Sequence, residues 1–260
     1  MAKFLLQTAS GALENEERFV EQALKDARFV HQYDKVTLED LQHIEDKDRI
    51  PIGTIEFVTA YLNKHHGIVQ ENPIEIPVYL RTDEFLKRDY VITTWDKLPK
   101  SGRYFIKDVS QLKNFGSVVQ AEYFITDELF NHVPTSKFDS TLVLSKDHLY
   151  QVSSEFPIQS EYRVYVLQGQ IECISHYNGD CTVLPDIELI KKAVSLINYH
   201  EKWLKSYTID VMIGPCGTAV IEVHNFTSVG LYSTLWGSNL LYGYANGIDY
   251  LLNDNKKIEI

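Results

Sequence analysis

The sequence contains no apolar run approaching the roughly 18 residues that a membrane-spanning helix needs. Its opening, MAKFLLQTASGALENEER, has too short an apolar core and the wrong flank for a secretory signal. Cysteine is scarce. Cys173, Cys181 and Cys216 show no metal-type spacing, and their odd number leaves a thiol unpaired, which fits a reducing compartment. A cytoplasmic protein is the expectation. Positive charge is also short: 25 Lys and Arg against 36 Asp and Glu give a net charge of −11. Most of such a surface repels a phosphate backbone, so non-specific nucleic-acid binding is not expected, and an anionic substrate would need a local basic pocket. No obvious Ser-His-Asp or Cys-His arrangement points to a protein nucleophile.

Apolar residues are plentiful. A chain of 260 residues with 44% hydrophobic content is globular and can form one large domain or two to three compact lobes. The most informative stretch, 207–232, reads YTIDVMIGPCGTAVIEVHNFTSVGLY. It divides into strands at 208–213 and 218–223, joined by a turn of Gly214, Pro215 and Gly217. Each strand carries one acid among apolar neighbours, so the hairpin brings Asp210 and Glu222 towards each other. Two such carboxylates repel unless a cation or proton joins them. Either they share a cation or they end their strands as solvated edge residues.

Upstream, 3–7 predicts a short strand and 15–30 an amphipathic helix, with Phe19, Ala23 and Ala27 four residues apart. In 50–67, Pro51 and Gly53 make a loop, and Thr54 can cap a helix whose Ile55, Val58, Tyr61 and Leu62 form a stripe ending at Gly67. The free N–H groups at Gly53 and Thr54 could hold an anion, or the helix is simply capped. His65 and His66 complement the helix dipole rather than bind metal. NPIEIP at 72–77, bracketed by prolines, predicts an extended linker and a lobe boundary.

Beyond that linker, 81–95 reads as helical or mixed, and RYFIK at 103–107 as a strand ending on Lys107. Further β character at 117–124 and 141–144, with a short helix near 127–130, makes a small antiparallel lobe. A lysine delivered by an apolar strand is costly to bury without an anion, unless it reaches water. In SEYRVYVLQGQIECISHYNGD, 160–180, alternation around a turn at Gln168, Gly169 and Gln170 places Glu161, Arg163 and Tyr165 on one face. Arg163 is then half of an exposed ion pair, or a planar fork for phosphate that Glu161 orients. Pro185 and Asp186 open a helix with Ile187, Ile190, Val194 and Ile197 at helical spacing, and His200 on its surface.

The order of these parts resembles the ATP-grasp superfamily, in which a nucleotide lies between two α+β lobes, and the resemblance covers most of the chain. FIKD at 105–108 looks like the small-lobe strand whose lysine contacts the nucleotide phosphates. LKNFG at 112–116 is similar to a second lysine near a phosphate-covering loop, and EYRVYVLQGQI to the strand whose arginine contacts the transferring phosphate. IDVMIGPCGTAVIEVHN looks like the metal-binding hairpin. The implied class is α+β and α/β: an N-terminal α/β lobe over 1–77, a small subdomain over 78–145 and a large subdomain over 146–260. The resemblance implies catalytic roles for Lys107, Lys113 and Arg163, ATP contacts from these with Ser145 and Glu161, and magnesium held by Asp210, Glu222 and Asn225 or His224. The family ends this hairpin with Glu, any residue, Asn. Here Val223, His224 and Asn225 follow Glu222, so histidine stands where the amide is expected. Hard Mg²⁺ prefers oxygen, and Asn225 supplies it only if the strand bulges.

Such proteins are usually carboxylate ligases. The implied reaction uses ATP and Mg²⁺: a carboxylate attacks the γ-phosphate, and an amine displaces phosphate from the resulting acyl phosphate. Substrate contacts are expected from Gly53, Thr54, Tyr177, Asp180 and Ser228, with Asp180 alternatively the acid of an Asn-Gly-Asp turn. The expected partners are small-molecule or peptide carboxylates and amines, with no membrane and oligomeric state open. The rival is a nucleotide-binding sensor or interaction module without turnover, which His224 favours. An iron site using His224 has no His-any-Asp pair nearby.

Overall fold

The computed structural model describes residues 3–9, 13, 15–27, 32–68, 75–110, 116–121, 124–126, 142–232 and 237–254. Phe4, Leu5 and Leu6 are all enclosed, so strand β1 (Lys3–Gln7) is buried on both faces, as a central parallel strand must be. It pairs in parallel with β2 (Gln32–Val36) on one side and β3 (Arg49–Ile52) on the other. Helices α1 (Asn15–Asp26) and α2 (Ile55–His66) complete this α/β unit. The start of α2 follows from its cap: Thr54 Oγ1 accepts from Phe57 N, and Gly67 closes the other end in the left-handed conformation. Residues 72–74 of the expected linker and the last residues of the expected first helix lie outside the described residues.

The 81–95 stretch is mixed, a short helix α3 (Asp83–Leu86) followed by strand β4 (Tyr90–Thr94). Strands β5 (Arg103–Asp108) and β6 (Gly116–Gln120) come next, then a parallel pair, β7 (Phe124–Thr126) with β8 (Leu142–Leu144). The helix expected near 127–130 lies outside the described residues. Strand β9 (Leu149–Ser154), not foreseen in the sequence, sits between β4 and β5 and gives an antiparallel sheet of order β4-β9-β5-β6.

At 155–159 the chain crosses to a second antiparallel sheet, built from β10 (Ser160–Leu167), β11 (Gln170–Gly179), β12 (Ser206–Gly214) and β13 (Gly217–Asn225) in the order β11-β10-β12-β13. Gln168 and Gly169, with φ of 51° and 74°, make the β10–β11 turn in the positive-φ form that matches strand twist. Helix α4 (Ile187–His200) lies between β11 and β12 in sequence and starts at Asp186, whose Oδ1 accepts from Glu188 N and Leu189 N. Ile190, Val194 and Ile197 of α4 form one core with Val164, Ile209 and Val211.

Tyr165 and Leu167 share a different core with Phe226 and with helix α5 (Ser238–Asp254). That core also takes in Phe4, Leu6 and Val20, while Ile248 and Leu251 of α5 join Leu5, Phe57 and Tyr61. The last helix thus packs against both the second sheet and the N-terminal unit. Its approach depends on glycine: a Cβ at Gly247 would lie 2.0 Å from Phe226 O, and one at Gly243 would lie 2.8 Å from the Phe226 ring. Among the described residues no helix is long and apolar enough to cross a membrane.

Candidate active site

Strand register sets Arg163, Asp210 and Glu222 in one row. Arg163 is the Cα partner of Asp210 across β10–β12, and Asp210 of Glu222 across β12–β13. The register shifts between Asp210 and Val211, which pairs with Val220, so Ile221 is the extra residue of a bulge immediately before Glu222. After Glu222 the pairing is regular, with His224 opposite Thr208 and Asn225 opposite Tyr207. His224 therefore shares the face of Glu222, whereas Asn225 turns to the other face, where it is buried and its Oδ1 accepts from Thr227 Oγ1 at 2.9 Å.

The Arg163 guanidinium lies across Asp210, Nε to Oδ1 and Nη2 to Oδ2, both at 2.7 Å. Asp210, not Glu161, orients the fork; Glu161 accepts instead from Asn178 Nδ2 at 3.1 Å. Nη1 of Arg163 donates to Gly230 O at 3.1 Å, and the guanidinium sits 4.9 Å from the Tyr232 ring centre and 5.9 Å from that of Tyr177. These two rings stack 4.8 Å apart. Tyr165 clamps the same segment, its hydroxyl donating to Gly230 O and accepting from Tyr232 N.

Burial lowers the Arg163 affinity for its proton, but Asp210 outweighs it and raises the guanidinium above the ordinary arginine range. Burial also pushes the Asp210 carboxyl up, against the opposing pull of Arg163. The two shifts disagree over whether Asp210 keeps a proton. Two N–H donors aimed at its two oxygens need the ionised acid, and arginine is not deprotonated in proteins, so we take the pair as guanidinium and carboxylate.

Glu222 is bracketed by His224 and Lys107. Its Oε1 lies 2.9 Å from His224 Nε2, and its Oε2 lies 3.5 Å from Lys107 Nζ, which reaches over from the end of β5. Burial would raise this carboxyl; His224, Lys107 and Arg163 together hold it down at about 2, against an ordinary 4.5.

Lys107 and Glu222 also line a cleft of about 230 Å³ between the two antiparallel sheets. Phe105, Val118 and Gln151 form its wall on the first sheet, and Glu161, Met212 and Ile221 its wall on the second. Phe156 and Ile158 from the crossing segment close one side, and Arg88 enters beside Ser153 and Ser154. Hard oxygens on adjacent carboxylates suit Mg²⁺, which needs one or two protein carboxylates and completes its shell with water and phosphate. Glu222 lines the cleft and fits that requirement, whereas Asp210 beside it has both oxygens engaged by Arg163 and meets it only if that fork gives one up. Among the described residues no three His, Cys, Asp or Glu side chains form a metal-holding group, and Asn225 is turned away.

The other expected site residues fall elsewhere. Thr54 N is taken by Gln7 Oε1 at 2.6 Å, and neither Gly53 nor Thr54 lines the cleft. Ser145 follows β8, where its carbonyl accepts from Tyr150 OH at 2.7 Å, also away from the cleft. Asp180 is exposed and accepts from Thr182 N and Oγ1, which is the turn geometry. Tyr177 belongs to the Arg163 cage, and burial, followed by the Asp210 charge, raises its hydroxyl above the ordinary tyrosine range. Ser228 has a buried Oγ with no partner among the described residues, as does Thr208, directly across from His224. Lys113 lies outside the described residues. The apolar cleft walls were missed. Met212, two residues past Asp210 and so on its face, carried a signal; Arg88, anchored on a carbonyl 132 residues away, carried none.

Two antiparallel sheets closing on a cleft, with a lysine from one facing an acid hairpin on the other, define an ATP-grasp protein. Residues 85–236 match the ATP-grasp domain, R-two-K clade, family 2, and the chain, matched over more than half its length, belongs to that family. A search of curated proteins finds no match. Among solved structures the chain is similar to the D-alanine–D-alanine ligase of Bacillus anthracis complexed with ATP, at 14% identity and TM-score 0.50, over 99% of this chain and 97% of that one. It is also similar to the D-cycloserine synthetase DcsG, at 11% identity and TM-score 0.56, over 96% and 100%. A RimK domain ATP-grasp protein of Sphaerobacter thermophilus aligns at 14% identity and TM-score 0.51, over 97% and 98%. At these identities the structures bear on the fold.

Proposed function

We propose that the chain is an ATP- and Mg²⁺-dependent ligase that activates a substrate carboxylate as an acyl phosphate for attack by an amine. The observation that carries this reading is the meeting of Lys107 and Glu222 across the cleft, with the Arg163–Asp210 pair beside them. The nucleotide base occupies the apolar part of the cleft, and its phosphates run towards Lys107 and Glu222. Lys107, Lys113 and Arg163 neutralise the transferring phosphoryl group. Asp210 and Glu222 would hold Mg²⁺, which supplies charge neutralisation at the phosphates when bound. The carboxylate attacks the γ-phosphate and releases ADP; the amine then adds to the acyl carbon and phosphate leaves. The cage of Tyr177, Tyr232 and Gly230 fixes the guanidinium so that it need not reorganise as charge develops. An N-terminal lobe over 1–77, a small subdomain over 78–145 and a large one over 146–260, working in the cytoplasm on small-molecule or peptide substrates, complete the proposal.

One observation favours the rival reading of a sensor without turnover: both Glu222 oxygens already face side chains of the chain itself, His224 and Lys107. ADP release with Mg-ATP and a panel of amino acids and small carboxylates separates the two. Release that rises with one carboxylate and amine supports the ligase. Measurable ATP binding with release at background for every substrate supports the sensor.

A further inference from the structure

Arg88 differs from most of the arginines. Arg49, Arg81, Arg103 and Arg163 each bond a carboxylate, whereas Arg88, like Arg18, bonds backbone carbonyl and has no carboxylate partner among the described residues; of these two Arg88 lines the cleft. Its Nη1 is anchored on two backbone carbonyls, Leu86 O and Val220 O, each at 3.0 Å. Those carbonyls fix the plane of the guanidinium without neutralising it, and burial pushes it down to about 10. Nε and Nη2 have no acceptor among the described residues, in a residue that lines the cleft.

Its place in the cleft narrows what those donors meet. Asp89 N donates to Ser154 Oγ, which holds Arg88 beside the last residue of β9. Lys107 pairs with Gln151, three residues earlier on the same strand, about 10 Å away at the usual rise. Lys107 and Glu222 therefore stand towards the Gln151 end of the first-sheet wall. Arg88 enters at the Ser154 end, its Nη1 held on Val220 O, with Phe156, Ile158 and Met212 supplying apolar wall. A guanidinium fork suits phosphate as readily as a ring, so the apolar wall decides: it suits a flat heterocycle, whose ring nitrogens can accept from a guanidinium N–H, and offers a triphosphate nothing.

We propose that Arg88 positions the base of a purine nucleotide, donating from Nε or Nη2 to a ring nitrogen. This rests on the cleft being the nucleotide site, and the probes are chosen to separate the two ideas. Binding of ADP, adenosine and inorganic tripolyphosphate is measured by calorimetry for the unsubstituted chain, Arg88→Met and Arg88→Lys, with thermal unfolding to confirm that each folds. Arg88→Met is expected to weaken ADP and adenosine by the same factor, about tenfold or more, and to leave tripolyphosphate within about twofold. Arg88→Lys keeps the charge but not the fork, and is expected to lose adenosine affinity even if the methionine variant does not fold. ADP affinity unchanged in the variants that fold, or a loss confined to tripolyphosphate, overturns the proposal while leaving the nucleotide site standing. No ADP binding by the unsubstituted chain overturns both.

Discussion

Arg163 and Asp210 meet as fork and carboxylate on adjacent strands, with 11% and 4% of their side chains exposed. Removing one member of such a pair leaves an uncompensated charge and typically costs about 3–5 kcal/mol, whereas replacing both with apolar residues is close to neutral. Asp210→Asn is therefore expected to lower unfolding free energy in urea by roughly that amount, and Arg163→Met with Asp210→Leu to recover most of it. Full stability in Asp210→Asn would refute a charged pair.

Glu222 links acid stability to the site. Its carboxyl is held at about 2 against an ordinary 4.5, so its contribution is complete above about 4.5 and is lost as pH falls through 2. The span corresponds to on the order of 3 kcal/mol. Glu222→Gln should flatten thermal stability over that acid range while staying folded at neutral pH. The same variant is expected to abolish ADP release, and unchanged turnover would remove Glu222 from the metal site.

His224 and Asn225 should behave as residues of different faces. His224→Ala frees Glu222 Oε1 and is expected to change the Mg²⁺ concentration needed for half-maximal ADP release several-fold, with little change in stability. Asn225→Ala removes the acceptor for Thr227 and is expected to cost about 1–2 kcal/mol in denaturant with Mg²⁺ dependence unchanged. The reverse assignment of effects would mean that the amide faces the metal.

Gly247→Ala places a methyl carbon 2.0 Å from a backbone carbonyl, which cannot rotate away, whereas Gly243→Ala meets a ring at 2.8 Å. Overpacking costs about 1–3 kcal/mol, with Gly247→Ala at or beyond the upper end and the more costly of the two in urea unfolding.

Thr54→Ala tests the anion reading of the first lobe. The hydroxyl caps α2 and the backbone N–H is occupied by Gln7, so the expected result is a loss of about 1 kcal/mol with the KM for the carboxylate unchanged. A several-fold rise in that KM would return Thr54 to the substrate site.

What the sequence made legible was local. Alternation and glycine turns located the Asp210–Glu222 hairpin and the strand carrying Arg163, because strand period and turn chemistry are written in consecutive residues. The partner of Arg163 was misassigned: Glu161 is near in sequence, but pairing of β10 with β12 brings Asp210 from 47 residues away. The bulge at Ile221 has no sequence mark, so the separation of His224 from Asn225 depended on register. Strand β9 was missed because buried polar Gln151 and Ser153 interrupt its apolar pattern. Helix α5 was missed because Gly243 and Gly247, breakers by propensity, are there to admit Phe226.

The position of α5 also bears on how the chain is made. Phe4, Leu6 and Val20 share one core with Leu240, Leu241 and Tyr244, and Leu5 and Phe57 another with Ile248 and Leu251. Strand β1 thus keeps part of its apolar surface uncovered until the ribosome has delivered the second sheet and the helix beyond it. The first unit is therefore expected to finish its core late, and a nascent chain halted after β13 to expose apolar surface of the kind that chaperones hold.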